Sequence, residues 1–152
     1  MIATDRHMAI TLDSTRLGRI EIDPGDVVEF PRGIIGLDGH RWTVIAHGED
    51  GVFSWLHSVE HGELALPVTD PRRFFAGFEC AIGDEDREVL GLSEDSQPRI
   101  LVTVRARAAT REFTANLRAP ILIHRGIGHQ VINLDDGAPL QAPLFAEQAG
   151  EN

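Results

Sequence analysis

Cysteine, lysine and long apolar runs are the features that this chain of 152 residues lacks or nearly lacks. Its one cysteine, Cys80, cannot form a disulfide within the chain, and a reducing cytoplasm is the simplest setting for such a sequence. No stretch approaches the roughly 18 apolar residues of a membrane-spanning helix, and the N-terminus lacks the apolar run of a signal peptide. We therefore expect a cytoplasmic protein with no membrane contact and a core that needs no disulfides.

Negative charge dominates the composition. The 24 acidic residues outnumber the 14 basic residues, all of which are arginine, and the formal net charge is −10. Because nucleic-acid binding requires a positive face, we expect no direct contact with nucleic acid. Composition leaves two interpretations of the charge open: it attracts a basic protein partner, or it only keeps the protein soluble.

Short apolar runs separated by turn residues make up most of the sequence, which has 15 glycines and 8 prolines. Apolar and polar residues alternate within these runs, most clearly over residues 99–107, and this alternation is typical of half-buried strands. Residues 84–90 have the acidic start and the glycine stop of a helix. The sequence therefore predicts an all-β pseudobarrel or sandwich of about ten short strands with one short helix. Its last strand is predicted at residues 130–134.

One domain accounts for nearly the whole chain, because the sequence shows no linker and no internal repeat. We expect residues 1–137 to form this single β pseudobarrel domain. Residues 138–152 form a C-terminal tail, in which Leu140 and Leu144 are spaced by Pro139 and Pro143. Two alternatives stay open for the tail, docking in an extended form or disorder. A chain trimmed after Gly137 is expected to remain folded.

The segment covering residues 30–37 is the most informative stretch of the chain. It combines glycine and proline, which restrict the backbone to special conformations, with side chains too apolar for a solvated loop. The segment therefore predicts a tightly specified turn packed against a core. Two interpretations of its apolar residues remain open, core packing or a partly exposed patch that binds a protein. The residues concerned are Phe30, Pro31, Ile34 and Ile35.

Together with motifs along the rest of the chain, this segment resembles the FliW family of flagellar assembly factors. The resemblance runs from about residue 18 to residue 134 and rests on short motifs in a fixed order. These motifs are Ile20-Glu21-Ile22, Phe30-Pro31, Gly33-Ile34-Ile35-Gly36, Phe53-Ser54-Trp55-Leu56, Leu64-Ala65-Leu66, Asp70-Pro71, Asn116-Leu117, Ala119-Pro120-Ile121 and Gln130-Val131-Ile132. His57, Arg118 and His124 differ from the residue types that the family usually has at these positions.

The resemblance implies a small β pseudobarrel that binds proteins and carries out no catalysis, with no cofactor. Its implied partners are flagellin and CsrA, an RNA-binding translational repressor. Binding keeps the repressor off flagellin mRNA, and the factor also acts on flagellin like a chaperone. Secretion of flagellin then frees the factor to restrain the repressor. The net charge of −10 fits this role, since an RNA-binding repressor presents a basic surface.

Seven residues are the candidates for partner binding. Three acidic side chains, predicted on loops between strands, form a candidate patch for a basic partner. Asn116 lies in an apolar strand, where it either satisfies backbone groups inside the barrel or contacts a partner. The full candidate set is Phe30, Pro31, Ile34, Glu60, Glu63, Asp70 and Asn116. Lysine at the three acidic positions is expected to weaken repressor binding without unfolding the protein.

A metal-dependent hydrolase is the alternative from a different functional class. Residues 57–61 match the pattern H-x-x-E-H, in which His57 and His61 would bind zinc and Glu60 would activate water. That chemistry requires a helix, whereas the motif follows a predicted strand, so we expect surface histidines and no metal. A third hypothesis is a generic acidic β module that binds some other protein.

Overall fold

Eleven strands and one α-helix form the part of the chain that the computed structural model describes, which is residues 9–107, 112–135 and 137–144. The strands are β1 (Ile10–Ser14), β2 (Gly18–Ile22), β3 (Val27–Glu29), β4 (Arg41–His47), β5 (Phe53–Ser58), β6 (Ala65–Thr69), β7 (Arg99–Arg107), β8 (Glu112–Ala115), β9 (Ile121–His124), β10 (Ile127–Gln130) and β11 (Ala142–Pro143). The helix is α1 (Asp84–Leu90), and two short 3₁₀ turns cover Pro24–Asp26 and Pro71–Arg73. The predicted all-β class with one short helix is confirmed.

Seven of the strands close into a barrel. The order is β7-β6-β5-β4-β3-β10-β9, and β9 pairs back onto β7 through Arg99–Leu101. All neighbours are antiparallel except β3 and β10, which meet in a single parallel bridge between Glu29 and Ile127. Closure removes the free sheet edges that would otherwise be open to pairing with other chains.

The barrel interior is filled by large apolar side chains from most of the seven strands. Phe30, Trp42, Leu56, Val68 and Ile121 are completely buried there. The Phe30 ring lies against Gly128 so closely that a Cβ atom at position 128 would overlap it. A glycine in β10 is therefore required by the packing of the barrel centre.

The β1–β2 hairpin lies outside the barrel and is fastened to the end of β5. The backbone N–H of Thr15 donates to the carbonyl of Gly62 at 3.0 Å. A Cβ atom at position 62 would overlap the carbonyl of Asp13, so glycine permits this close approach. Ser14 and His57 form a second, buried contact between the hairpin and β5.

A second layer forms where β8 and β11 extend the sheet from the edge of β7, and the C-terminal segment belongs to it. β8 pairs with β7, and β11 pairs with β8 through Ala142 and Ala115. Ala138, Ala142 and Leu144 are buried against Val104 and its neighbours in this layer. Of the two alternatives for the tail, residues 138–144 therefore dock in an extended form, while residues 145–152 lie outside the described part.

The chain after β10 differs from the prediction. The last barrel strand is Ile127–Gln130, so the predicted strand at residues 130–134 is wrong. Asn133 is buried and makes four hydrogen bonds: its Oδ1 accepts from the N–H groups of Ala81 and Asp135, and its Nδ2 donates to the carbonyls of Glu79 and Leu117. At this point the Asn133 side chain, and not a strand ladder, satisfies the backbone groups of three separate loops.

Helix α1 has the predicted bounds and packs over β10. Gly83 is the N-cap of this helix, and Asp84 is its first residue. Asp86 reaches back to the barrel, where its Oδ1 lies 2.7 Å from Nε2 of the buried His129. Leu90, Leu122 and Val131 form the small core between helix and barrel.

Candidate protein-binding surfaces

The glycine-rich segment forms two consecutive tight turns between β3 and β4. Gly33 N–H donates to the carbonyl of Phe30 at 2.9 Å, and Leu37 N–H donates to the carbonyl of Ile34 at 3.0 Å. Gly36, at the third position of the second turn, has φ of +83°, which suits glycine far better than other residues. The predicted turn packed on a core is therefore present.

These two turns place the predicted site residues in different environments. The side chains of Phe30 and Ile34 are buried in the barrel core, so neither offers a large surface to a partner. Pro31 is exposed, and Ile35 at the tip of the second turn is 69% exposed. The two interpretations of this segment thus divide it: Phe30 and Ile34 are core, whereas Ile35 is a surface side chain.

Ile35 is held in its exposed position by Gln130 of β10. The side chain of Gln130 accepts a hydrogen bond from the backbone N–H of Ile35 at 3.0 Å through Oε1. Its Nε2 atom donates to the carbonyl of Ala119 at 3.1 Å. The turn that carries Ile35 is thereby tied to two other parts of the fold, which limits the entropy that Ile35 would lose on binding a partner.

Beside this turn lies a cavity of about 380 Å³, which we name the Ile35 groove. Its apolar lining is mainly Ile34, Ile35, Leu37, Leu66, Pro67 and Val104, and its polar lining is Thr103, Arg105, Asn116 and Gln130. A smaller depression of about 240 Å³ continues from it past Asn116 to Leu140. Both contain Thr103, Arg105 and Asn116, so they form one continuous surface.

The groove exists because β6 and β7 diverge. Their ladder pairs Thr69 with Val102 and Val68 with Thr103, and it stops there. The carbonyl of Thr103 accepts from Asn116 N–H on the β8 side, so the backbone groups of Val104 point toward β6. The next residue of β6 is Pro67, which has no N–H to donate to Val104. The strands separate from this point, and the space between them is lined by their side chains.

Asn116 has a structural role and also lines the groove. Its Oδ1 atom accepts hydrogen bonds from the N–H groups of Arg118 and Ala119 at 3.0 and 3.1 Å, which fixes the turn between β8 and β9. The side chain remains partly exposed beside Arg105. Both interpretations of Asn116 therefore remain: it satisfies backbone groups, and it lies on a surface that a partner could contact.

The three acidic candidates do not form one patch. Glu60 and Glu63 lie in the loop between β5 and β6, whereas Asp70 follows the opposite end of β6. Five strand residues separate the two ends, which corresponds to roughly 16 Å. Asp70 also caps the second 3₁₀ turn, accepting from Arg72 N–H at 2.9 Å. The acidic loop is therefore defined here as Glu60 and Glu63 alone.

Glu60 combines an exposed position with a backbone role. Its Oε1 atom accepts from the N–H groups of His40 and Arg41 at 2.9 and 3.3 Å. The hydrogen bond from His40 is the largest cause that lowers the pKa of this carboxyl below its ordinary value of 4.5, because the bond favours the charged form. Glu63 is exposed. Unlike the charge of Glu60, the charge of Glu63 can be changed without loss of a hydrogen bond to the backbone of the described residues.

The H-x-x-E-H motif has a structural explanation. His57 is completely buried at the end of β5, which corrects the expectation of a surface histidine. Its Nδ1 lies 2.8 Å from the carbonyl of Ser58, so this nitrogen carries the proton, and Nε2 accepts from the hydroxyl of Ser14 at 2.7 Å. Both ring nitrogens are occupied, and Glu60 binds backbone N–H groups. This geometry does not fit the hydrolase hypothesis, which requires both histidines and the glutamate to face one metal.

Within residues 9–107, 112–135 and 137–144, no three His, Cys, Asp or Glu side chains lie close enough to hold a metal ion. The Cys80 thiol is about half buried, and burial together with the nearby Asp86 raises its pKa to about 11. Its reactive thiolate is therefore scarce near neutral pH. In the same ranges, no helix has the length and hydropathy to cross a membrane.

A closed seven-stranded β-barrel with additional strands and one short helix defines the class of small all-β domains. The comparison with known families identifies the particular one. The model of the FliW protein family matches residues 11–144, and this chain belongs to that family.

Relatives and a solved structure agree with this assignment. The flagellar assembly factor FliW of Desulfitobacterium hafniense (strain DSM 10664 / DCB-2) is 35% identical over 139 residues, which cover 90% of this chain and 91% of the relative. The protein of the same name from Nitratidesulfovibrio vulgaris (strain DP4) is 38% identical, covering 89% and 80%. A crystal structure of the flagellar assembly factor FliW superposes with a TM-score of 0.80 at 27% identity, covering 89% of this chain and 96% of that chain.

Sequence reasoning missed most of the groove lining, including the polar residues Arg105 and Gln130. Arg105 lies in an alternating strand without a signal of its own, and Gln130 is the first residue of the wrongly predicted strand at residues 130–134. The proline in β6 was the one signal that could have located the groove, because a proline ends a ladder on one side. Which strand diverges from Pro67 depends on the barrel closure, and no local pattern contains that information.

Proposed function

We propose that this chain is a non-enzymatic flagellar assembly factor of the cytoplasm that binds flagellin and a CsrA-type translational repressor. Binding of the repressor keeps it off flagellin mRNA, and flagellin competes for the factor by mass action. The observation that carries the proposal is membership of the FliW family over residues 11–144, with relatives named as flagellar assembly factors. The exchange of partners requires binding surfaces and no bond-making chemistry.

The charge of the molecule supports a basic partner. The formal net charge is −10, and the acidic loop presents two carboxylates at one end of the barrel. A repressor that binds RNA carries basic surface, and opposite charges accelerate encounter and favour the correct partner. The same net charge disfavours direct binding of this protein to the mRNA. Relief of repression would therefore act through the repressor.

Replacement of Glu63 by lysine tests the acidic loop. We expect the purified repressor to bind the Glu63→Lys variant about two- to fivefold more weakly at low salt, since one exposed charge pair contributes up to about 1 kcal/mol. The lysine substitutions at Glu60 and Asp70 are less informative, because both side chains accept backbone hydrogen bonds. Glu60→Gln is the better companion, since it removes the charge and retains an acceptor.

Glu49→Lys is the matched control, because Glu49 is exposed in the β4–β5 loop, at the other end of the barrel. Isothermal titration calorimetry should give an unchanged repressor affinity for this variant, and thermal unfolding should show all variants folded. Equal affinity of the wild type and Glu63→Lys would reject the acidic loop as the contact. A wild-type protein that binds neither purified flagellin nor the repressor would reject the proposed function.

A further inference from the structure

An exposed isoleucine held at the rim of a cavity is the starting observation. Single exposed apolar side chains are common and need no explanation. Ile35 differs because its backbone N–H is bound by Gln130 and its turn is closed by the Ile34–Leu37 hydrogen bond. The side chain is thus presented in one place, beside apolar lining from β6 and β7. Preorganisation of this kind lowers the cost of binding.

A single cation stands beside this apolar lining. Arg105 is the one charged residue among those that line the groove, in a protein with 24 acidic residues. Its side chain is exposed, and among the described residues it has no ion-pair or hydrogen-bond partner. Neighbouring Thr103 and Asn116 add polar groups on the same side. A guanidinium beside an apolar surface suits a ligand that carries a carboxylate next to apolar side chains.

We propose that the Ile35 groove is the flagellin-binding surface, and that it takes an apolar segment of flagellin with a carboxylate directed at Arg105. This inference rests on the proposed function, from which the identity of the partner is taken. Ile35 and the β6–β7 lining contact the apolar side chains of the segment, and Arg105 pairs with its carboxylate. The basic repressor does not suit this groove, because Arg105 would repel it, and it binds at the acidic loop.

Two substitutions in the groove test the proposal, with purified flagellin as the probe. Both Ile35→Ser and Arg105→Glu change exposed side chains, so both variants should fold. We expect each to weaken flagellin binding by about tenfold or more, as central apolar and arginine contacts do. Arg105→Glu should also reduce the dependence of the affinity on salt, since it removes the charge pair. Repressor binding should be unchanged in Ile35→Ser.

Matched controls are available elsewhere on the surface. Ile132 is 52% exposed and lies outside the groove, so Ile132→Ser loses a comparable apolar side chain. Arg73 is an exposed residue of the second 3₁₀ turn. Arg73→Glu makes the same charge change as Arg105→Glu at a position outside the groove. Both controls should bind flagellin within about twofold of the wild type.

The outcomes separate this inference from the proposed function. Wild-type binding of flagellin that survives both groove substitutions overturns the groove and leaves the function intact. A wild type that does not bind flagellin removes the function and the inference together. Sedimentation of the protein alone tests whether a second copy of this chain occupies the groove. Self-association that Ile35→Ser abolishes would overturn flagellin as the ligand of the groove.

Discussion

Shortening Leu144 to alanine should destabilise the barrel, although this residue lies close to the C-terminus. Leu144 is 6% exposed and packs in the layer that includes Val104 and Leu117. Its N–H donates to the carbonyl of Phe113 at 3.0 Å, next to the two-residue strand β11. The side chain therefore closes one side of a small core that covers β7.

The magnitude follows from the burial. Leucine to alanine in a core costs about 2–5 kcal/mol, and a site beneath a short terminal strand belongs to the lower end because the chain can relax. We expect a loss of about 2–3 kcal/mol in the free energy of unfolding. For a protein of this size, 1 kcal/mol corresponds to about 2–4 °C, so the melting temperature should fall by about 5–10 °C.

Urea denaturation followed by tryptophan fluorescence measures this loss directly. Leu140→Ala is the matched control: Leu140 belongs to the same segment but is 57% exposed, so its loss should stay below about 0.5 kcal/mol. Truncation after Gly137 removes the whole segment and should lower the free energy of unfolding more than Leu144→Ala does, while the expectation from sequence that the trimmed chain remains folded stays a prediction. Equal midpoints for Leu144→Ala, Leu140→Ala and the truncated chain would refute the reasoning.

Two further predictions concern packing and pH. Gly128→Ala should lower the free energy of unfolding by about 1–3 kcal/mol, because the new Cβ overlaps the buried Phe30 ring. Gly77→Ala is the control, because its new Cβ meets open space and should change the melting temperature little. Equal melting temperatures of the two variants would contradict this packing. Glu60 has a lowered pKa in the fold, so its stabilising effect is present above the unfolded value of 4.5 and is lost as the pH falls through the folded pKa. Glu60→Gln should therefore flatten the decline of stability between about pH 5 and pH 3 in urea titrations, and a decline as steep as that of the wild type would show that the His40 contact contributes nothing.

Local patterns predicted the elements whose causes are local. Helix α1 begins and ends where its acidic first turn and Gly91 indicate, and the strand at Arg99–Arg107 follows from its alternation. The tight turns at residues 30–37 follow from glycine and proline. In each case the residues that determine the structure lie within a few positions of it, so the sequence window contains the cause.

Contacts between distant parts of the chain were not predictable in this way. His57 was expected at the surface because its buried partner, Ser14, is 43 positions away in the sequence. Asn133 falls within the wrongly predicted strand at residues 130–134, and the loops that it binds come from elsewhere in the chain. Both residues are polar groups in buried positions, and their role becomes visible only when the fold supplies their partners.

The two proposed surfaces carry opposite charge, and this difference gives the exchange of partners a physical basis. A basic repressor gains from Glu60 and Glu63 and loses near Arg105, whereas a segment with a carboxylate gains at Arg105 and loses at the acidic loop. Each proposed surface would thus disfavour the ligand of the other. Displacement of one partner by the other would then require contact between the two bound proteins, since the two proposed surfaces are separate. The variants Arg105→Glu and Glu63→Lys then affect different partners even when the partners compete.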